Sequence, residues 1–164
     1  MLDKQTMTFR EIEFGSDDFR QECELRNEVL RVPSGLSLYD ENIEEEKQQI
    51  HFGLFNACND LLACAIAAPL STTEVKIRQV AVRPEFQGKG IGRLLIRDTE
   101  QDLALRGFAH LVLHVRMTAV GFYTKLDYGS VDDEFVELGI PHIRMGKNIQ
   151  PSKDCSVGPS VCEI

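Results

Sequence analysis

Short segments in which apolar and polar residues alternate occur along most of the chain and predict β-strands, because successive strand side chains point to opposite faces. The segment Leu61–Ala68 is apolar throughout, which predicts a strand at the centre of a sheet. A four-residue turn separates it from His51–Asn56, so the two are expected to pair as an antiparallel hairpin. The predicted strands are Thr8–Phe14, His51–Asn56, Leu61–Ala68, Val75–Val82, His110–Val115, Tyr128–Val131 and His142–Lys147.

Four segments carry the spacing or the end signals of helices. Ser16, followed by two acids, predicts the start of a helix that runs to about Leu30. An apolar face that repeats from Ile91 predicts a long helix that ends at Gly107. Two shorter helices are predicted over Asn42–Gln49 and, with a threonine cap at Thr118, over residues 118–126.

The strand before the long helix changes its phase at mid-length. Val75 and Ile77 point one way, whereas Val80 and Val82 point the other way. One extra residue in the strand, a β-bulge, would produce this change and would splay the strand from its neighbour. Pro84 then ends the ladder, because proline has no N–H to donate.

The long helix connects the predicted strands Val75–Val82 and His110–Val115, which implies that they pair in parallel through a right-handed crossover. The hairpin, in contrast, is antiparallel. The sequence therefore predicts a mixed α/β fold, with a twisted sheet of six or seven strands and about four helices on its two faces. Its length favours one domain at residues 1–149, followed by a tail at 150–164 rich in small polar residues.

Composition narrows the classes of function. The net charge of −8 argues against a nucleic-acid partner. No apolar run reaches the about 20 residues of a membrane helix, and the first residues lack the apolar core of a secretory signal. The five cysteines are scattered without Cys-x-x-Cys spacing, so we expect no metal, no disulfide framework and a cytoplasmic location.

The loop Gln87–Gly92 has three glycines at alternate positions and opens the long helix, where unpaired amides and the helix dipole favour an anion. The flanking segment 76–97 has a single acid, Glu85, and six basic residues: Lys76, Arg78, Arg83, Lys89, Arg93 and Arg97. On an acidic protein, such a patch indicates a polyanionic ligand. The loop lacks the Gly-Lys-Ser/Thr of a P-loop, and no acid ends the next strand as in a dinucleotide fold.

The sequence Gln87-Gly88-Lys89-Gly90-Ile91-Gly92 resembles the pyrophosphate-binding loop of the GCN5-related N-acetyltransferases (GNAT). The preceding Arg78–Glu85 and the downstream Phe122–Leu126 are also similar to that family, and the resemblance covers Thr8 to Ile149. It implies the GNAT fold with a bulged fourth strand, and acetyl-CoA as the co-substrate. The cofactor-binding residues it implies are Val80, Ala81, Val82, Gln87, Gly88, Lys89, Gly90, Ile91, Gly92, Arg93 and Arg116.

The same resemblance implies an acid. Family members carry a tyrosine after the fifth strand, which matches Tyr123, and it would protonate the leaving thiolate of coenzyme A. Arg116 stands in the same motif where asparagine is common, and its side chain could serve a phosphate instead.

The base is not marked by a motif. His114, on the fifth strand, and His142, before the last strand, are both candidates, and each is also explicable as a packed residue. The acceptor is expected to be a small-molecule or peptide amine, and a homodimer is one of the assemblies the resemblance allows. Two alternatives stay open at this point: a non-catalytic acyl-CoA-binding or regulatory domain, and a plain nucleotide-binding module.

Overall fold

The computed structural model describes residues 6–152 and confirms the mixed α/β class. In these residues there are eight strands and three α-helices. They are β1 Thr8–Ile12, α1 Asp17–Arg26, β2 Ile50–Phe55, β3 Leu61–Pro69, β4 Glu74–Val82, α2 Ile91–Leu105, β5 His110–Arg116, α3 Val120–Thr124, β6 Gly129–Ser130, β7 Phe135–Glu137 and β8 Ile140–Asn148.

The described residues form two compact units. The first contains the chain up to Ala68 together with Ile77–Thr99, and the second contains Pro69–Lys76 together with the chain from Glu100 onward. In the first unit, β2 pairs antiparallel with both β1 and β3, which confirms the predicted hairpin. The pairing is tight at Gly53, where a Cβ would come within 2.8 Å of three side chains.

The core of the first unit is built on the apolar strand β3, whose residues are buried from Leu61 to Ala67. Side chains from β1, α1 and β4 join it, among them Ile12, Phe19 and Ala81. Helix α1 begins where the sequence predicts, because the Ser16 hydroxyl accepts a hydrogen bond from Phe19 N at 3.2 Å. It continues as a π-helical turn to Arg31.

The second unit is organised around β8, which pairs antiparallel with β5, β6 and β7. The β5–β8 pairing runs from His110 opposite Asn148 to Arg116 opposite His142. After β8, Ile149 N donates to Ala109 O at 2.8 Å. Ser152 N donates to Ala104 O at 3.0 Å, and the rest of the predicted tail lies outside the described residues.

Several predicted elements differ from the structure. Residues 42–49 do not form an α-helix; only the 3-10 segment Glu44–Gln48 is present, because three consecutive glutamates leave no apolar stripe to bury. The number of strands is eight rather than six or seven, because residues Phe135–Glu137 form the additional strand β7. Thr118 does not cap α3, which follows a 3-10 turn and begins after Ala119 without a side-chain cap.

No helix within residues 6–152 combines the length and the apolar character that crossing a membrane requires.

Candidate active site

In the first unit, the glycine-rich segment forms the entry to α2. Residues Pro84–Phe86 make a 3-10 turn, Gln87 is extended, and the helix begins at Ile91. Leu94 N donates to Gly90 O at 3.1 Å, so the amides between these two residues precede the internal hydrogen bonds of the helix. Unpaired amides at the positive end of a helix dipole are suited to a phosphate group.

Two glycines give this loop its shape. Gly88 has φ +75° and Gly90 has φ +83°, and a Cβ at either position would meet no atom within 4 Å. Glycine is therefore needed for its conformation rather than for lack of space. The loop is tied to the end of β4, because Gln87 Nε2 donates to Val82 O at 3.0 Å. The open space beside both glycines allows a ligand to approach the main chain.

The remaining loop residues differ in what they offer. Ile91 is 2% exposed, so its side chain belongs to the core and only its amide is available. Lys89 and Arg93 are exposed at the surface, and Lys89 Nζ lies 5.8 Å from the centre of the Phe86 ring. Both cations are thus on the solvent side of the segment predicted to bind an anion.

Strand β4 contains a backbone irregularity where the sequence predicts a bulge. Gln79 has φ +55°, a left-handed conformation that costs a non-glycine residue about 1–2 kcal/mol. One class of β-bulge places its first residue in this region, which supports the predicted bulge. Beyond it, Ala81 packs into the core, while Val80 and Val82 are half-buried.

Four buried charged side chains in the first unit form a group that we call the buried charge cluster: Glu22, Arg26, Glu46 and His51. Their exposed fractions are 0%, 0%, 5% and 1%. Arg26 Nη1 donates to Glu22 Oε2 at 2.9 Å and to Glu46 Oε1 at 3.0 Å, and its Nη2 donates to Glu46 Oε2 at 2.8 Å. Each charge therefore has a partner, as buried charges require.

The pKa values of the cluster favour its charged forms. Burial would lower the pKa of Arg26, but the hydrogen bond and charge of Glu46 raise it above its ordinary value. Burial would raise the pKa of Glu46, but Arg26 and Arg78 hold it below its ordinary value. Arg78 Nη1 donates to Glu46 Oε2 at 2.8 Å, so this member of the predicted basic patch is used within the protein.

His51 is held as an imidazolium. Its Nδ1 lies 2.8 Å from Glu22 Oε1, and its Nε2 lies 2.8 Å from the backbone oxygen of Glu46. Both partners only accept, so both ring nitrogens must carry a proton. Burial would lower the pKa of His51, but the hydrogen bond and charge of Glu22 raise it above the ordinary value.

The pH dependence of stability follows from these directions. The raised pKa of folded His51 stabilises the protein fully below its ordinary value of 6.5, and this contribution is lost as pH rises through the folded pKa. The lowered pKa of Glu46 stabilises the protein fully above its ordinary value of 4.5, and this contribution is lost as pH falls through the folded pKa.

We therefore expect the melting temperature, measured by thermal denaturation between pH 5 and 9, to fall on the alkaline side of pH 6.5. His51→Gln should remove most of that alkaline decline; an identical decline in this variant would contradict the assignment.

In the second unit, Tyr123 is the fourth residue of α3 and is 7% exposed. Its ring makes edge contacts with Phe122, at 4.9 Å between centres, and with Tyr128, at 5.7 Å. Burial raises the pKa of its hydroxyl. The hydroxyl is therefore protonated at neutral pH.

The two candidate histidines both lie beside Glu137, a β7 residue. His114 Nδ1 is 3.2 Å from Glu137 Oε1 and 3.2 Å from Lys76 Nζ. A single ring nitrogen thus faces a carboxylate, which accepts a proton, and an amine, which donates one.

His142 has a more restricted environment. Its Nδ1 donates to Ile140 O at 2.7 Å, and its Nε2 lies 3.7 Å from Glu137 Oε2. The ring lies nearly parallel to that of Phe135, and its side chain is 8% exposed against 29% for His114. Arg116, opposite His142 in the β5–β8 pairing, is half-buried. Of the two histidines, His114 is the more accessible.

Sequence reasoning missed the buried charge cluster, Gln79 and Glu137. The only local signal for the cluster was the four-residue spacing of Glu22 and Arg26, which also occurs on ordinary surface helices. Glu46 stands in the run Glu44–Glu46, a pattern typical of a solvated face, yet it is 5% exposed. Its partners Arg26 and Arg78 are distant in the sequence, so only the folded chain brings them together.

Within residues 6–152, no group of three or more His, Cys, Asp or Glu side chains is placed to hold a metal ion. The cysteines in this range, Cys23, Cys58 and Cys64, are free thiols. Burial raises the pKa of the Cys23 thiol to about 11, which keeps it protonated.

Comparisons with known proteins agree with this architecture. The family model described as an acetyltransferase (GNAT) domain matches residues 31–149. The uncharacterized protein YyaT of Bacillus subtilis is 26% identical over 131 residues, which cover 75% of this chain and 88% of that protein.

Two solved structures show the same fold. The ribosomal-protein-S18-alanine N-acetyltransferase of Escherichia coli superposes with a TM-score of 0.72 at 20% identity, covering 90% of this chain and 97% of that one. A GNAT acetyltransferase of Elizabethkingia anophelis with acetyl-CoA bound gives 0.69 at 18% identity, covering 89% and 100%. Since the family model spans well over half of the sequence, the chain belongs to the GNAT acetyltransferase family.

Proposed function

We propose that the protein is an acetyl-CoA-dependent N-acetyltransferase that acts on a primary amine by direct attack. The observation that carries the proposal is the loop Gln87–Gly92, with two glycines at positive φ, open space beside them and the start of α2 behind them. Such a loop binds a diphosphate through main-chain amides. The family match and the acetyl-CoA-bound structural relative support the choice of acetyl-CoA over other diphosphates.

The reaction requires three proton transfers. The amine attacks as the free base, so the ammonium form, with a pKa of about 10.4 for a lysine-like amine, must first lose a proton. Its nitrogen forms a bond to the thioester carbon and the carbon–sulfur bond breaks; the nitrogen then releases a second proton to leave a neutral amide, and the sulfur takes up a proton. In the proposal, amides of Val80–Val82 and of the loop bind acetyl-CoA, and Tyr123 gives its hydroxyl proton to the sulfur.

The proton from the amine is assigned to His114. Its Nδ1 lies between Lys76 Nζ and Glu137 Oε1, each at 3.2 Å, and the side chain is partly exposed. Glu137 can stabilise the imidazolium once it forms, as carboxylates beside catalytic histidines do. His142 contacts the same carboxylate and would act through it.

His114→Gln removes this proton acceptor and is expected to lower kcat about 100-fold at neutral pH, with acetyl-CoA affinity unchanged. The measurement is steady-state turnover at neutral pH, with calorimetric titration of coenzyme A to follow affinity. His110→Gln is the matched control, because His110 lies on the same strand and its Nδ1 lies 2.7 Å from Oδ1 of the exposed residue Asn148. Equal turnover in the two variants would exclude His114 as the base.

The acceptor is proposed to be a cationic small-molecule or peptide amine, since the chain carries a net charge of −8 and acidic segments at Glu44–Glu45 and Asp132–Glu134. The structural relative that acetylates a ribosomal protein is one example of an N-acetyltransferase with a protein acceptor.

The function is tested in two steps. Calorimetric titration with coenzyme A, NAD and ATP should give binding of coenzyme A alone, and Gly90→Val should weaken it because valine cannot adopt the positive φ of that position without strain. Incubation with acetyl-CoA and a panel of amines should then release free thiol. Tighter binding of NAD or ATP would overturn the proposal. Coenzyme A binding without thiol release from any amine would instead support a non-catalytic acyl-CoA-binding domain.

A further inference from the structure

The strained residue Gln79 is held by two arginines. Its side-chain oxygen Oε1 accepts from Arg26 Nε at 3.3 Å and from Arg31 Nη2 at 3.2 Å. Its backbone oxygen accepts a weak hydrogen bond from the Cys64 thiol at 3.8 Å. A non-glycine residue keeps a left-handed conformation in mid-strand only when its surroundings determine it. These contacts are the ones that determine it here.

Both arginines are themselves fixed. Arg26 is 0% exposed and is bonded to Glu22 and Glu46. Arg31 is 6% exposed, and its Nη2 also donates to Glu41 Oε1 at 3.1 Å. The Gln79 amide is therefore bonded to two buried guanidinium groups, each of which is paired with a carboxylate.

The hydrogen bonds of Gln79 matter because of its position in β4. It immediately precedes Val80–Val82, the last three residues of β4, and just after the strand Arg83 N donates to Leu62 O at 2.9 Å. The direction in which the three intervening amides point depends on the backbone angles of Gln79, since a change at one residue reorients the peptide units that follow.

We infer that Arg26 and Arg31 act as positioning residues: through the side-chain oxygen of Gln79 they hold the irregular segment of β4 so that the Val80–Val82 amides can bind the thioester arm of acetyl-CoA. The inference rests on the proposed function for the identity of the ligand. That the two guanidinium groups hold these amides is inferred from the contacts alone.

Three substitutions separate the bonding role of Gln79 from its bulk. Gln79→Leu keeps the length of the side chain but removes the acceptor, whereas Gln79→Glu keeps an acceptor facing two cations. Gln21→Leu is the matched control, because Gln21 also bonds backbone atoms of the first unit, at Asn59 and Leu61, without touching β4. If Gln79→Leu does not fold, Gln79→Asn tolerates the positive φ and is too short to reach both arginines.

Two measurements are made on the full chain. Calorimetry with coenzyme A should show binding about tenfold weaker in Gln79→Leu, within about threefold of the parent in Gln79→Glu, and unchanged in Gln21→Leu. Hydrogen exchange of the Val80–Val82 amides, followed by NMR without ligand, should be faster in Gln79→Leu only. A general loss of stability would not produce this difference in affinity and exchange between the variants.

The outcomes are distinguishable. Parent-like affinity and exchange in Gln79→Leu, or equal losses in Gln79→Leu and Gln79→Glu, would overturn the positioning role. If the parent does not bind coenzyme A at all, the proposed function fails, and the exchange rates alone decide whether the arginines hold the strand. Faster exchange in Gln79→Leu without a change in affinity would show that the segment is held but is not part of the binding site, which also overturns the inference.

Discussion

Replacing Arg26 by methionine is expected to lower the free energy of unfolding by about 3–5 kcal/mol. Methionine fills much of the same volume, but it removes the donor that faces both Glu22 and Glu46 and leaves two buried carboxylates with less compensation. His51 would still pair with Glu22, and Arg78 with Glu46, which keeps the loss within this range. Chemical denaturation at pH 7 measures it.

The same helix supplies a matched control. Arg20 pairs with Glu24 at the same four-residue spacing, at 2.7 Å, but both side chains are more than half exposed. Arg20→Met should change stability by less than about 0.5 kcal/mol, because solvent screens an exposed pair. Similar losses in the two variants would mean that burial does not distinguish the pairs, and the account of the buried charge cluster would be wrong.

The cost of losing Arg26 does not by itself explain why the cluster is there. A buried ion pair is often no more stabilising than apolar residues of the same volume, because both charges lose their hydration. Apolar side chains could not, however, donate to the oxygen of Gln79. The contacts of Arg26 Nε and Arg31 Nη2 with that oxygen are specific to guanidinium groups, which offer several donors in a fixed geometry. The cluster is thus better explained by the strand it holds than by its own stability.

The features that the sequence predicted correctly have local causes. The buried strand β3, the hairpin with β2 and the cap at Ser16 depend on residues close to one another in the chain. The loop Gln87–Gly92 has glycine at the two positions with positive φ, which is also a local requirement, while its role in binding a cofactor stays a prediction. The resemblance of the chain to the GNAT family also depends on these residues.

The features that the sequence did not reveal depend on partners distant in the chain. Glu46 is solvated or buried according to whether Arg26 and Arg78 face it, and no local pattern records that. Glu137 lies on the three-residue strand β7, which is too short for periodicity to predict. Tertiary packing alone places it beside His114 and His142.

Tyr123→Phe is expected to lower kcat for acetyl transfer by about 100-fold or more, while the affinity for acetyl-CoA stays within about twofold. Phenylalanine preserves the ring contacts with Phe122 and Tyr128, so the loss would come from the hydroxyl proton alone. Burial raises the pKa of this hydroxyl and keeps the proton on it until sulfur begins to carry charge. Steady-state release of free thiol, with calorimetric titration of coenzyme A, separates turnover from binding.

A neighbouring tyrosine controls for the loss of a buried hydroxyl. Tyr128 OH donates to Glu100 Oε1 at 3.3 Å, so Tyr128→Phe should cost about 1 kcal/mol of stability but leave turnover near that of the parent. A selenoester analogue of acetyl-CoA adds a chemical test, because a selenolate is a weaker base than a thiolate and needs less proton donation as it leaves. If Tyr123 is the acid, the Tyr123→Phe defect must shrink with the selenoester. An equal defect with both donors would assign Tyr123 to packing, and proton delivery to sulfur would then have to come from another group.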